Sequence, residues 1–220
     1  MCKLASTRLI QITDGEWINQ QELVKSRLLS TIGKTTNILH ARKCKVVIVD
    51  AEATKIFQHR THIQGFVGFK VSIGLKFKGE LVCVMTLGIP RYSNSAKWEL
   101  LRFSSELNHI VVGGASKCFA HFIRNNPPTS VVTYSDRRWN TGGVYQKLGF
   151  EYSHTSQPNY QYFDTNNPYK LYHRSTFQKH KLAGKLDDFN SELTEWENMK
   201  NNGYDRIWDC GNDVYVFNSF

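Results

Sequence analysis

The sequence predicts an α/β (α+β) domain, with a mixed, mostly antiparallel central sheet, flanking helices and a basic C-terminal extension. Three observations predict it. Apolar residues recur with period two in several short runs and with helical spacing in the segments between them. Hydrophobic residues make up 40% and charged residues 21% of 220 residues, enough for one substantial core. The 28 Lys and Arg exceed the 19 Asp and Glu, leaving a net charge of +9. Aromatic residues reach 13%, with ten Tyr and thirteen Phe, so most of the chain is expected to fold rather than stay disordered.

Leu9 to Ile12 reads as a short strand and Asp14-Gly15 as a turn. A helical stripe follows through Ile18, Leu23, Val24, Arg27-Leu28 and Ile32. Lys45 to Val49 is β-rich. Asp50 offers an N-cap to a helix from Ala51 to about Arg60. Lys70 to Phe77 alternates at period two, Lys78-Gly79-Glu80 is a hairpin turn, and Leu81 to Leu87 is the return strand. Trp98 to Phe103 is a further strand, in which Glu99 and Arg102, three apart, should point to opposite faces.

Val111 to Lys117 then leads into an apolar helix from Cys118 to Ile123, which Pro127-Pro128 ends. Ser130 to Ser135 is a strand, Gly142 to Leu148 a short helix, and Phe150 to His154 and Tyr160 to Phe163 are strands. The tail divides into a basic part, Lys170 to Lys185, an acidic helical part around Asp187 to Lys200, and a final hairpin from Arg206 to Phe217. This gives an N-terminal strand and helix extension over 1–40, a core domain over 41–168 and a basic, helical extension over 169–220.

The five cysteines show no CxxC or Cys/His spacing, so no metal site is expected. Cys83 and Cys118 sit among apolar residues and read as core. An odd cysteine count without a signal peptide points to the cytoplasm, and no run approaches the roughly 20 apolar residues of a membrane span.

Val112, Gly113, Gly114, Ala115, Ser116 and Lys117 carry the strongest chemical signal. Glycines before a helix let backbone N–H groups approach an anion, and the helix start adds unpaired donors, a geometry that suits phosphate or pyrophosphate. Farther on, Gly142-Gly143-Val144-Tyr145-Gln146-Lys147-Leu148-Gly149-Phe150 resembles the Y-x-K-x-G-F signature of the GNAT superfamily, and the element order from Lys43 to Phe163 agrees with a GNAT-like sheet. That resemblance places Val112 to Lys117 at the acyl-donor pyrophosphate loop and implies acetyl-CoA or another acyl donor. The usual R/Q-x-x-G-x-G/A loop is only partly present, with Asn108 and His109 where a basic or amide residue is expected.

Tyr134-Ser135-Asp136-Arg137-Arg138-Trp139, with Thr141-Gly142 and Val144-Tyr145 behind it, is similar to a block in the Mom-type phage proteins, GNAT-fold enzymes that modify adenine in DNA. Other segments, among them Trp98 to Phe103, Gly113 to Lys117 and Phe177 to Leu182, resemble the C-terminal region of Vsr-like (EDxHD) phage homing endonucleases. The nuclease carboxylates of those proteins lie upstream of the region present here.

These likenesses imply a transferase acting on DNA. In it Tyr145 protonates the leaving thiolate or is simply packed, and Asp136, at a strand's carboxyl end, serves as base or orienting acceptor. Asp136 alternatively caps the next helix or pairs with Arg137 or Arg138. Tyr134 stacks on a base or belongs to the core. Arg42, Lys43, Arg137, Arg138, Arg174, Lys179 and Lys181 are the candidate phosphate contacts, the last three in Lys170 to Lys185 interleaved with Tyr172 and Phe177, a stretch that is alternatively a solvated basic helix. The alternatives are a catalytically silent DNA-binding module and an inhibitor that binds a host protein.

Overall fold

The computed structural model describes residues 7–127 and 129–218. Thr13 and Glu16 form a reciprocal capping box that opens α1 (Asp14–Asn19), and α2 (Gln21–Thr31) follows at once. Leu9 to Ile12 forms no strand. Ile10 and Ile12 instead pack against Leu23, Val24, Ile63 and Trp139, which satisfies their apolar surface without a ladder.

Next come β1 (Asn37–His40), a 3-10 turn over Ala41–Lys43, β2 (Lys45–Ile48) and α3 (Ala51–Thr61). Asp50 caps α3 by accepting from the Ala53 amide at 2.8 Å. The hairpin of β3 (Val71–Phe77) and β4 (Glu80–Gly88) turns through Lys78 and Gly79, whose φ of 51° and 92° match the twist of the flanking strands. After β5 (Trp98–Ser105) a short β6 (His109–Val112) runs parallel to β1, a pair that the sequence pattern does not reveal. It leads into α4 (Gly114–Asn125), which begins four residues earlier than its apolar stripe suggests.

The rest comprises β7 (Ser130–Asp136), α5 (Gly143–Lys147), β8 (Glu151–Thr155), β9 (Tyr160–Asp164), β10 (Asn167–His173), α6 (Glu195–Asn201), β11 (Tyr204–Trp208) and β12 (Asn212–Asn218). The basic stretch Lys170 to Lys185 is a strand end and two 3-10 turns, not a helix, and the acidic part is α-helical only in α6.

The central sheet has seven strands in the order β2-β3-β4-β5-β7-β12-β8. Every neighbouring pair in it is antiparallel except β5 and β7. This is the mixed, largely antiparallel sheet with flanking helices that the sequence predicts. The tail, however, does not close in a hairpin. β11 joins β9 and β10 in a separate three-stranded sheet, while β12 enters the central sheet between β7 and β8. Tyr160 to Phe163 thus belongs to the smaller sheet, around Tyr162, Phe177, Leu182 and Met199.

Strand alternation divides the faces. Ile73, Leu75, Cys83 and Met85 meet Cys118, Phe119 and Phe122 of α4 in the main core, where Cys83 and Cys118 are fully buried as expected. The opposite face receives α3 through buried polar contacts, Thr54 with Ser72 at 2.7 Å, Gln58 with Thr86 at 3.1 Å and Thr61 with Ser104 at 2.9 Å.

Candidate functional site

The parallel pair at the sheet's centre is joined only at its start. Trp98, Glu99 and Leu100 face Val131, Val132 and Thr133, yet β5 runs on to Ser105 and β7 to Asp136. One cause lies across β5. Thr86 of β4 faces Arg102 and Leu87 faces Leu100, so Leu101 is an extra residue that bends the strand. The same bulge removes the parity that would set Glu99 and Arg102 on opposite faces, and the Glu99 carboxylate acts on Arg102 electrostatically.

A cavity of about 250 Å³ fills the divergence. Ala115 and Leu148 reach it from the main-core side and Arg27, His62 and Trp139 from the side of α2 and α3, so it passes through the sheet. Tyr134, Asp136 and Tyr145 all line it, which brings the three candidate catalytic residues together.

Tyr145 stands on α5, whose N-cap Gly142 has φ +77° and lies directly against the Tyr215 ring. Burial raises the Tyr145 phenol, while a hydrogen bond with Thr133 and the charges of Arg102 and Arg27 pull it the other way. Tyr134 is also raised, first by burial and then by the Glu99 carboxylate. It meets the exposed Tyr92 ring edge-on at 5.7 Å. Asp136 is paired with Arg138, whose Nε and Nη2 lie 3.4 and 3.3 Å from Oδ2, and its Oδ1 accepts from the Arg138 amide at 2.9 Å. Arg138 also grips Glu16 at 2.9 and 3.2 Å, which fastens α1 to the end of β7.

Glu99 is 1% exposed and accepts from the Arg91 amide, Nε and Nη2 at 2.8, 3.1 and 2.6 Å. Arg102 remains in the cleft wall, where burial and the repulsion of Arg91 push its guanidinium down to about 10. It therefore stays charged at neutral pH.

At the start of α4, Gly113 is the N-cap, with φ +75°, and contributes no capping side chain. The amides of Gly114, Ala115 and Ser116 form the helix's first turn and have no acceptor within the helix. An open groove of about 450 Å³ lies against this end, lined by His40, Arg42, Val112, Gly113, Ser116 and Lys117. Lys117 does not point freely into it, because its Nζ donates to the carbonyls of Ala41 and Cys44 at 3.0 and 2.6 Å. Those bonds hold the 3-10 turn beside the helix and so shape the groove.

The candidate phosphate contacts divide by availability. Arg42, Lys43, Arg174, Lys179 and Lys181 are exposed, and Lys181 also holds the Ser175 carbonyl and the Gln178 side chain. Arg137 donates to the Cys210 carbonyl and lies 3.5 Å from Asp213. Arg138 is committed to Asp136 and Glu16. Among the described residues, no group of three or more His, Cys, Asp or Glu is placed to hold a metal ion, and no helix is long and apolar enough to cross a membrane.

Sequence reasoning missed Arg27, His62 and Trp139 as cleft residues. Arg27 did carry a signal: a charge inside the apolar stripe of α2 needs a reason to be there. Fold and cleft together define a mixed α/β domain with a split parallel pair. No protein-family model matches the chain, and no curated protein matches it.

Proposed function

We propose that this chain is a GNAT-type group-transfer enzyme that modifies an amino group of a DNA base, in the manner of the Mom-type proteins it resembles. The observation that carries the reading is the divergence of β5 and β7 around a cavity lined by Tyr134, Asp136 and Tyr145. An acyl donor such as acetyl-CoA fits two features. Its phosphates suit the uncapped amides at the start of α4 and the groove beside Arg42. Its acyl end suits the gap between the strands, which passes through the sheet.

Transfer then forms a C–N bond and breaks the thioester C–S bond. The proton of the attacking amine passes to Asp136, and the departing thiolate takes a proton from Tyr145. The raised Tyr145 phenol carries that proton at neutral pH. Arg138 positions the Asp136 carboxylate at the strand end. Exposed Arg42, Lys43, Arg174, Lys179 and Lys181 supply the phosphate contacts. Such chemistry belongs in the cytoplasm, where acyl donors and DNA are both present.

Nucleosides from DNA of cells expressing the protein are expected to contain a base of increased mass, lost with Asp136→Ala and reduced with Tyr145→Phe. Nucleoside mass spectra identical between wild type and Asp136→Ala would refute the assignment. The Arg138 pair that occupies Asp136 favours one second reading, a silent DNA-binding module. Salt-dependent DNA binding by a protein that binds no acyl-CoA would select it.

A further inference from the structure

The carboxylates around the cleft are held by arginines, Glu99 by Arg91, and Asp136 and Glu16 both by Arg138, whose single charge leaves one negative charge that acts on Arg27 across space. Two further guanidinium groups line the same cavity, Arg27 on α2 and Arg102 on β5, and neither forms an ion pair among the described residues. The Arg27 guanidinium carbon lies 4.8 Å from the centre of the Trp139 ring, and its Nε is buried without a partner among the described residues. Trp139 is 2% exposed, and its indole Nε1 is likewise buried without a partner. Among the described residues, Arg102 bonds only carbonyls, those of Gly65 and Leu101 at 3.4 and 2.8 Å.

His62 completes this side. Burial, then the charges of Arg102 and Arg27, keep its imidazole well below the ordinary value, so it is neutral at neutral pH. Its Nδ1 accepts from the Gln64 amide at 3.2 Å, which leaves the ring proton on Nε2. The wall thus offers two charged groups and an indole N–H, all short of acceptors. The two guanidinium groups are half-buried and the indole N–H is buried, and an anion that meets them offsets the desolvation they carry.

We propose that this cleft binds the carboxylate of a small organic substrate, held between Arg27 and Arg102 with the Trp139 indole as a third donor. A planar carboxylate matches the guanidinium fork. The neighbouring Met85, Leu100 and Leu101 suit a short carbon chain behind it. Asp136 faces the same space, but its oxygens are held by Arg138, which offsets its repulsion. The site deepens the transferase reading, and rests on it only for the role of the carboxylate in transfer.

Calorimetric titration of the full chain with succinate, and with its neutral diamide succinamide at fixed ionic strength, tests the site. Succinate is expected to bind and raise Tm where succinamide does neither. Arg27→Gln and Arg102→Gln should each weaken succinate at least about tenfold, or about 1.4 kcal/mol. Equal responses to the two compounds, or unchanged affinity in both arginine variants, would overturn the proposal. Should an arginine variant fail to fold, Trp139→Phe and Arg27→Lys, which keep ring and charge but lose the specific donors, replace it. Undiminished binding in both is again fatal.

Competition assigns the source. Displacement of succinate by succinyl-CoA but not by acetyl-CoA places the carboxylate on the donor's acyl chain. Succinate binding alongside acetyl-CoA places it on the acceptor, and then the acceptor is no DNA base. Either result supports the site. Succinate binding with no affinity for any CoA thioester would sink the transferase assignment and leave this site standing.

Discussion

His62 in the cleft wall and Glu99 beside it show how single residues depend on their surroundings. The folded protein holds the His62 imidazole below its ordinary value, so the unfolded chain takes up that proton first as pH falls. The stability His62 contributes is therefore complete above about pH 6.5. It is lost below that, by up to about 1.4 kcal/mol per pH unit. Urea unfolding of His62→Asn between pH 7 and 5 should show a flatter acid decline than wild type. Glu99 is tied to Arg91 by three hydrogen bonds while almost wholly buried. Arg91→Ala strands that charge and should cost about 3 kcal/mol in urea unfolding. Replacing both with a neutral pair, Glu99→Gln and Arg91→Gln, is expected to recover part of the loss, because no carboxylate is then left bare.

Among the elements, α5 is the most delicately seated. Its N-cap Gly142 has the positive φ that disfavours side chains, and a Cβ there would lie 1.9 Å from the Tyr215 hydroxyl. Gly142→Ala should lower stability by about 2 kcal/mol from backbone strain alone. It should also displace Tyr215 and, with it, Tyr145, whose ring lies 5.5 Å away. Thermal unfolding checks the first effect and loss of transfer at unchanged donor affinity the second. β5 teaches a related lesson. Its bulge at Leu101 bends the strand away from β7, and a regular pleat would close the cleft by extending the ladder.

For the molecule as a whole, the consequential fact is that β12, from the far end of the chain, joins β7 to the edge strand β8. It pairs with all seven residues of β7 and with β8, and Tyr215 packs on Tyr145 and Tyr152. The C-terminal segment is therefore not a detachable basic tail. A chain truncated after Gly211 is expected to lose cooperative unfolding by circular dichroism and to aggregate, because β7 and β8 become exposed edges. Retention of a wild-type thermal transition by that truncation would show the central sheet to be complete without β12.

Much of the fold was legible locally. The Asp50 cap, the Lys78-Gly79 turn and the alternation in β3 and β4 depend on residues a few positions apart, and they sit where the pattern puts them. So did the two blocks that flank the cleft, Gly113-Gly114 and Tyr134 to Phe150, since glycine and turn chemistry are short-range. The β1–β6 pair is not legible in the sequence because both strands are only four residues long, too short to display a period. Parity along β5 failed because a bulge is set by the neighbouring strand.

Sequence by itself determined the class of sheet, its helices and the sign of the charge, because periodicity, capping and composition act through near neighbours. Only tertiary structure decided which charges cancel. Arg138 and Arg91 meet carboxylates 122 and 8 residues away, while Arg27 and Arg102 line the cavity without an ion-pair contact among the described residues. Ion pairing and burial depend on distance in space, and chain order carries no record of that distance until the strands are in place.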